Sequence, residues 1–168
     1  MNYLNIYDIL YIHDILIVEK YNYDEPIEPA YEYQENDLID CIHKIDVSIN
    51  NPKQTFDGVE LYPTLEEKAG VLFLSIIKNH PFINGNKRTS VFSLFLFMAM
   101  NNCWLKFKHY ELYKLAESLS SRSTAEIGFD KEKAEVIEYI QKGKIEFKES
   151  MAPGIIKKIF KRLLDFNK

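Results

Sequence analysis

Residues 80–100 read HPFINGNKRTSVFSLFLFMAM, and this stretch decides how the chain folds. Its second half, residues 91–100, is apolar at nearly every position, so a helix there has almost no polar face. A helix that is apolar all round lies in the middle of a domain, wrapped by its neighbours. We therefore predict an all-α bundle around one central helix, which runs from Lys87 to about Asn101 with Asn86 as its cap.

Amphipathic segments on both sides of this helix predict the rest of the bundle. Residues 4–20 and 36–49 have apolar positions at helical spacing, and His13 falls among those of the first segment. In the second segment we expect the following side chains to point inward: Leu38, Ile39, Ile42, Ile45 and Ile49. The acidic stretch 21–35 contains two prolines and is predicted to be a loop.

Start and stop signals frame a third helix before the central one. Thr64-Leu65-Glu66-Glu67 is a capping box, and the helix must end near Asn79 because the residue before Pro81 avoids helical geometry. Asp57-Gly58, within residues 54–62, is a hairpin-turn signal that predicts a small β-hairpin flap. Further helices are predicted over residues 110–119, 131–141 and 155–166.

Size and charge narrow the functional classes. The 168 residues suit one ordinary domain, and 21 basic against 25 acidic side chains give a net charge of −4. This balance argues against a nucleic-acid-binding protein. No secretory signal is visible and the longest apolar stretch is too short to span a bilayer. Because Cys41 and Cys103 sit in apolar helical patterns, we expect buried free thiols in a soluble cytoplasmic protein.

The loop before the central helix carries the chemistry. Lys87 and Arg88 lie in the first turn of a helix, where cations oppose the helix dipole and stability alone favours Asp or Glu. The conflict disappears if an anion occupies the site, because the free N–H groups and both cations then point at one phosphate cluster. Gly85 lets the backbone approach the ligand, and Asn86 caps the helix or bonds a phosphate oxygen.

His80 is the group in this loop that titrates near neutral pH, as a general base requires. Taken singly, each of these residues also fits a structural role. A histidine before proline is usually a loop or capping residue, which is how we interpret His13, His43 and His109. Phe82 fits an anchor on the core. The joint arrangement between two strongly apolar helices favours function.

The string from His80 to Arg88 resembles the signature of the Fic/Doc (Fido) superfamily. Phe56-Asp57-Gly58-Val59-Glu60-Leu61-Tyr62-Pro63-Thr64 resembles the family's substrate-docking flap. The resemblance covers roughly residues 4–144. It implies a Fido-type helical bundle over residues 1–145, followed by a C-terminal amphipathic extension over residues 146–168.

Lys87 stands where most Fic-type enzymes have glycine, and it resembles the Doc, or death-on-curing, branch. That branch implies a toxin of a toxin–antitoxin pair, which binds ATP and Mg²⁺ and transfers the γ-phosphate to a Ser or Thr hydroxyl. The implied partners are a target protein such as elongation factor Tu and a cognate antitoxin. Fic-type transfer of AMP and a catalytically inactive Fido module that binds a partner stay open as alternatives.

The resemblance also implies roles for single residues. His80 is the base, and Lys87 and Arg88 are catalytic through their hold on the phosphates. Gly85 and Asn86 build the anion hole, and Phe82 belongs to the same cofactor-binding loop. Leu61 and Tyr62 of the flap align the target.

Asn84 departs from the family pattern, which has Asp or Glu there as the usual magnesium ligand. An amide oxygen can coordinate Mg²⁺ but brings no charge, so Asn84 is a weak candidate for a metal ligand. An inactive copy of the enzyme is one reading of this change.

The C-terminal extension has an apolar stripe, formed by Ile155, Ile156, Ile159, Phe160, Leu163 and Leu164. Lys157, Lys158, Lys161 and Arg162 lie on the other side. We favour a last helix that packs on the core, with a partner-binding helix as the sharper option. Contact of this helix with a membrane is not expected.

Overall fold

A helix made almost wholly of buried residues, α4 (Asn86–Met100), runs through the middle of the protein. The computed structural model describes residues 1–18, 35–152, 154 and 157. Even the polar side chains of Thr89, Ser90 and Ser93 on α4 are fully buried. The prediction of an all-α bundle around a central apolar helix is therefore confirmed.

The described residues form six other α-helices. They are α1 (Ile6–Val18), α2 (Glu35–Asn50), α3 (Leu65–Asn79), α5 (His109–Ser121), α6 (Thr124–Ile127) and α7 (Phe129–Gly143). The strands are β1 (Thr55–Phe56), β2 (Val59–Glu60), β3 (Cys103–Leu105) and β4 (Lys144–Glu146). Helices α1, α3 and α5 pack on α4, whereas α2 and α7 pack on α3.

Polar contacts set the register of α2 against α3. Asn79 Nδ2 donates to Ser48 Oγ at 2.9 Å, and Asn51 Nδ2 donates to Ser75 Oγ at 2.9 Å. Ser48 thus pairs with Asn79, and the later residue Asn51 pairs with the earlier residue Ser75, so α2 and α3 run antiparallel. The first turns of α2 therefore extend past the end of α3.

This overhang explains a wrong prediction about α2. Ile45 and Ile49 are buried as expected, but Leu38, Ile39 and Ile42 are 45%, 60% and 37% exposed. The helical spacing that identified them is real, but α3 does not reach their level and cannot cover them.

Helix α7 also packs antiparallel to α3. Near the middle of the contact, a Cβ atom added to Gly70 would lie only 2.9 Å from Ile137 Cγ1. Lys78, in the last turn of α3, pairs with Glu132 in the first turn of α7. Helix α7 thus begins at the end of α3 from which His80 follows.

The capping signals of α3 are confirmed, and those of α4 need correction. Thr64 and Glu67 form the expected reciprocal capping box, and α3 ends at Asn79. At α4 the N-cap is Gly85, with no side-chain cap, and Asn86 is already helical. Asn86 does not cap the helix because its amide turns back into the preceding loop, where it bonds Phe82.

The predicted flap is a two-stranded antiparallel hairpin, β1–β2. Its turn residues Asp57 and Gly58 have φ of 50° and 76°, the left-handed pair that two-residue hairpin turns require. Lys68 anchors the hairpin to α3: its Nζ lies 3.2 Å from Glu60 Oε1 and donates to Pro52 O. The tip is open to solvent, with Phe56 and Val59 exposed.

The sequence did not predict a second antiparallel pair, β3–β4. It joins the chain after α4 to the chain after α7, and Phe147 N–H continues it by donating to Asn102 O at 3.1 Å. Strand β4 runs across the domain boundary placed after residue 145, and Ala152 is buried in the core. That boundary stays a prediction.

Two expectations concern the chain as a whole. Cys41 and Cys103 are both free thiols, the first buried and the second half-buried. Within the described part of the chain, no helix combines the length and apolarity needed to cross a membrane. The helix predicted over residues 155–166 lies outside the described residues, apart from Lys157.

Candidate functional site

His80 stands at the point where the chain leaves α3. It has φ of 49° and ψ of 59°, a left-handed conformation that costs a non-glycine residue energy and that is common at functional sites. Burial, with the positive charges of Lys44 and Lys87, lowers the pKa of the His80 imidazole. The ring is therefore neutral at neutral pH and able to accept a proton.

The loop after His80 is closed by a buried amide. Phe82 N–H donates to Asn86 Oδ1 at 2.9 Å, and Asn86 Nδ2 donates to Phe82 O at 2.6 Å. The Phe82 side chain is buried. Asn86 therefore fixes the loop through both ends of its side-chain amide, and both hydrogen bonds are made within the protein.

His13 of α1 braces the same loop from the other side. Its ring stacks on Phe82, with centroids 3.7 Å apart and planes 5° apart. Its Nε2 lies 3.1 Å from the backbone oxygen of Asn84, an acceptor, so Nε2 is the nitrogen that carries the proton. Desolvation by burial is the main cause that lowers the pKa of His13, which keeps the ring neutral.

The start of α4 has the features of an anion site. Gly85 has φ of 76°, and its oxygen accepts from Thr89 N–H at 2.9 Å, which closes the first turn. No side chain caps the helix and no acidic residue lies in its first turn, where Lys87 and Arg88 lie instead. A helix N-terminus of this kind attracts phosphate through its free N–H groups and its dipole.

A cavity of ≈ 420 Å³ joins these features, a volume within the range of small-molecule sites. Lys78 and His80 line it from the end of α3, and Asn86 and Lys87 from the start of α4. Ser120 and Arg122 form the facing wall at the end of α5. Neutral imidazole, helix N-terminus and cations thus face one space.

The structure separates the predicted site residues into groups. His80, Asn86 and Lys87 line the cavity. Phe82 is buried, Arg88 is half-buried and does not line the cavity, and Gly85 supplies the backbone turn. Lys78, Ser120 and Arg122 are cavity residues that the sequence analysis did not single out.

The flap residues lie apart from the cavity lining. Leu61 is 47% exposed, and its N–H donates to Gln54 O at 2.9 Å. Tyr62 is half-buried, and Lys133 Nζ of α7 lies 5.3 Å from its ring centroid. The alignment of a target by Leu61 and Tyr62 stays a prediction.

The donor set at Asn84 does not fit a carboxylate-held magnesium ion. Asn84 is half-buried, and its backbone oxygen is engaged by His13. Over the part of the chain that the structure describes, no three His, Cys, Asp or Glu residues come together as metal ligands do. We therefore derive no catalytic step through a metal ion.

The chain is similar to known proteins over part of its length. A family model described as "Fic/DOC family" matches residues 3–98. "Toxin Doc" of Mycolicibacterium smegmatis is 36% identical over 61 residues, which are 36% of this chain and 47% of the relative. The chain thus spans about half the length of the curated relative that it matches. No solved structure matches the chain.

Proposed function

Because the chain belongs to the Fic/DOC family, we propose that it is a Doc-like toxin that transfers the γ-phosphate of ATP to a Ser or Thr hydroxyl of a target protein. The observation that carries this proposal is the meeting of a neutral His80 with Lys87 and the uncapped start of α4 in one cavity. Elongation factor Tu is the target that the resemblance implies.

The proposed reaction uses His80 as the general base. The target hydroxyl gives its proton to the neutral imidazole while its oxygen attacks the γ-phosphorus. The bond between the γ-phosphorus and the β–γ bridging oxygen breaks, and ADP leaves. Such a base contributes roughly 10²–10⁴-fold to the rate.

Positioning and charge supply the rest of the acceleration. The N–H groups at the start of α4 and the ammonium group of Lys87 stabilise the negative charge on the transferring phosphate. The Asn86–Phe82 clamp holds these groups in place before a ligand arrives. Lys87 supports the phosphate-transfer branch of the family over AMP transfer, as does the likeness to a protein named Toxin Doc.

Control by a separate antitoxin is part of the proposal. Some Fic proteins carry an internal inhibitory motif that begins with Ser or Thr. The nearest sequence in this chain, residues 31–36, begins with Tyr instead. We propose that a cognate partner chain supplies the inhibition in the cytoplasm.

The test is incubation of the protein with a translation extract and ATP labelled at the γ or the α position. We expect γ-label on a target protein and a halt in translation, both abolished by His80→Ala and reduced by Lys87→Ala. Lys142→Ala removes an exposed cation that is paired with Glu138 on α7 and serves as the matched control.

Other outcomes decide between the alternatives. Transfer of the α-label to protein, with AMP identified by mass spectrometry, would show the adenylyltransferase. Absence of His80-dependent transfer of either label, in extract with added Mg²⁺ or Mn²⁺, would favour the inactive module and overturn the proposal.

A further inference from the structure

The peptide unit between Asn84 and Gly85 joins the loop after His80 to the start of α4. Gly85 is left-handed, with φ of 76°, and Asn86 after it is already helical. Two successive residues of opposite handedness turn their N–H groups to the same side, and the concavity that they form binds anions. The Gly85 N–H is the first donor of this concavity, so its direction affects how an anion at the helix start is bound.

His13 bonds the other end of the same peptide unit. Its Nε2 lies 3.1 Å from the backbone oxygen of Asn84 and donates to it. Every peptide bond described is trans, and a trans peptide unit is planar, with its C=O and N–H on opposite sides. Because the Asn84 oxygen is turned towards His13 on α1, the Gly85 N–H points away from α1.

The position of the donor nitrogen is itself fixed. The His13 ring stacks on the buried Phe82, with centroids 3.7 Å and planes 5° apart. Phe82 is in turn bonded through both of its backbone groups by the Asn86 amide. A donor that lies 71 residues away from Asn84 in sequence is therefore held in one place against the loop.

The next peptide unit is oriented by the helix alone. The Gly85 oxygen accepts from Thr89 N–H at 2.9 Å, which is the bond that closes the first turn of α4. The direction of the Asn86 N–H thus follows from helix formation. The Asn84 oxygen lies outside the helix, and the bond that orients it comes from the side chain of His13.

From this arrangement we propose that His13 is a positioning residue of the site: by bonding the Asn84 oxygen, it directs the Gly85 N–H towards the phosphate that the start of α4 binds. The inference rests on the proposed function and adds a residue of α1 to it. His13 acts through the peptide unit and does not touch the ligand. The effect depends on the N–H donor of the imidazole, whereas a role in packing depends on the ring.

Three substitutions of His13 separate the donor from the ring. His13→Gln keeps an N–H donor of similar reach and loses the aromatic face, His13→Phe keeps the face and loses the donor, and His13→Leu lacks both. Calorimetry in a His80→Ala background, in which the nucleotide is not consumed, measures the affinity for ATP. We expect about tenfold weaker binding in His13→Phe and His13→Leu, the loss of one charge-assisted hydrogen bond, and less than about threefold change in His13→Gln.

The Gly85 amide provides a spectroscopic signature of the same effect. In ¹H–¹⁵N NMR spectra, ATP should move the Gly85 amide proton downfield in the His80→Ala parent and in His13→Gln, and much less in His13→Phe. The spectra also show whether each variant is folded. His109→Phe is the matched control, because His109 of α5 likewise stacks on a buried phenylalanine, Phe92, with centroids 5.5 Å apart. It should leave the ATP affinity and the Gly85 response unchanged.

An affinity loss in His13→Gln as large as that in His13→Phe would overturn the inference, since the ring and not the donor would then matter. Parental affinity in His13→Phe and His13→Leu would overturn it too. If His13→Phe does not fold, His13→Leu and His13→Gln carry the comparison.

The parent protein separates this inference from the proposed function. If the His80→Ala parent binds ATP and Lys87→Ala weakens the binding while the His13 substitutions have no effect, the proposed function survives alone. If the parent binds no ATP, the inference and the proposed function both fail.

Discussion

The side-chain amide of Asn86 bonds both backbone groups of Phe82. The Phe82 N–H donates to Asn86 Oδ1 at 2.9 Å, and Asn86 Nδ2 donates to the Phe82 carbonyl oxygen at 2.6 Å. All four groups are buried with the two residues. The shape of the loop is therefore fixed by the protein itself, and a ligand does not have to order it. Preorganisation of this kind makes a small site precise.

Asn86→Ala should damage both stability and activity. The change removes the partner of the buried N–H and of the buried C=O of Phe82, and each loss should lower the free energy of unfolding by about 1–3 kcal/mol. Urea denaturation measures the stability, and transfer of γ-label measures the activity. Asn101→Ala is the matched control, because its amide bonds Phe97 O and Asn2 at the other end of α4. The control should lose stability but keep activity at temperatures where it is folded; equal inactivation would contradict a role of the clamp in the site.

Lys44→Ala should shift the pH dependence of the reaction. Burial is the main cause that lowers the pKa of His80, and the positive charges of Lys44 and Lys87 add to it. Wild-type activity should therefore persist below the ordinary histidine pKa of about 6.5. Removal of Lys44 raises the pKa, and the acidic limb of the kcat/KM profile should move to higher pH. Lys142→Ala, which changes a cation paired with Glu138 on α7, should leave the profile in place. An unshifted acidic limb in Lys44→Ala would contradict an effect of the Lys44 charge on the titrating base.

His13→Phe should flatten the pH dependence of stability. Burial lowers the pKa of folded His13, so the unfolded chain binds the proton more strongly. The stability that the neutral ring contributes is complete above about pH 6.5 and is lost as pH falls below it. Phenylalanine keeps a ring that can stack on Phe82 but does not titrate and cannot bond Asn84 O. We expect lower stability at pH 8 and a shallower decline from pH 7 to pH 5; an unchanged slope in chemical denaturation would contradict this.

Asn84→Asp should increase the affinity of the loop for divalent cations. The brace from His13 uses the backbone oxygen of Asn84, so the substitution leaves that bond intact while it adds a carboxylate. Mg²⁺ prefers charged oxygen donors, and Mn²⁺ is a convenient probe for the same position. Titration with Mn²⁺ in the presence of ATP should give at least several-fold tighter binding than in the parent. Equal binding would mean that side chain 84 does not face the metal position.

The fold was largely predictable because its main determinants are local. An almost wholly apolar stretch identified α4, and the Thr64–Glu67 capping box with Pro81 indicated both ends of α3. The prediction that Leu38, Ile39 and Ile42 point inward was wrong because burial there depends on where the neighbouring helix α3 ends. The three residues have helical spacing but lie beyond the end of α3 and are exposed. The β3–β4 pair was missed because three-residue strands are too short to show an alternating pattern.

The candidate site was predictable only where one continuous segment builds it. His80, Asn86 and Lys87 were found from the loop and its helix. Arg122 is distant in sequence and follows no motif, so only packing brings it to the cavity. His13 left a faint signal, a polar ring among the apolar positions of α1, yet its contact with Phe82 could not be read from spacing alone.

The two ends of α4, its N-terminal and its C-terminal pole, have different surroundings. At the C-terminal pole, Asn2 bonds Asn101 and Phe147 bonds Asn102, whereas the cavity opens at the N-terminal pole. Fifteen residues of helix separate the poles, a span of roughly 22 Å. A fluorophore or an immobilisation tether placed beside Asn2 or Lys148 would therefore leave the entrance clear, and titrations on a sensor surface would sample the same opening as titrations in free solution.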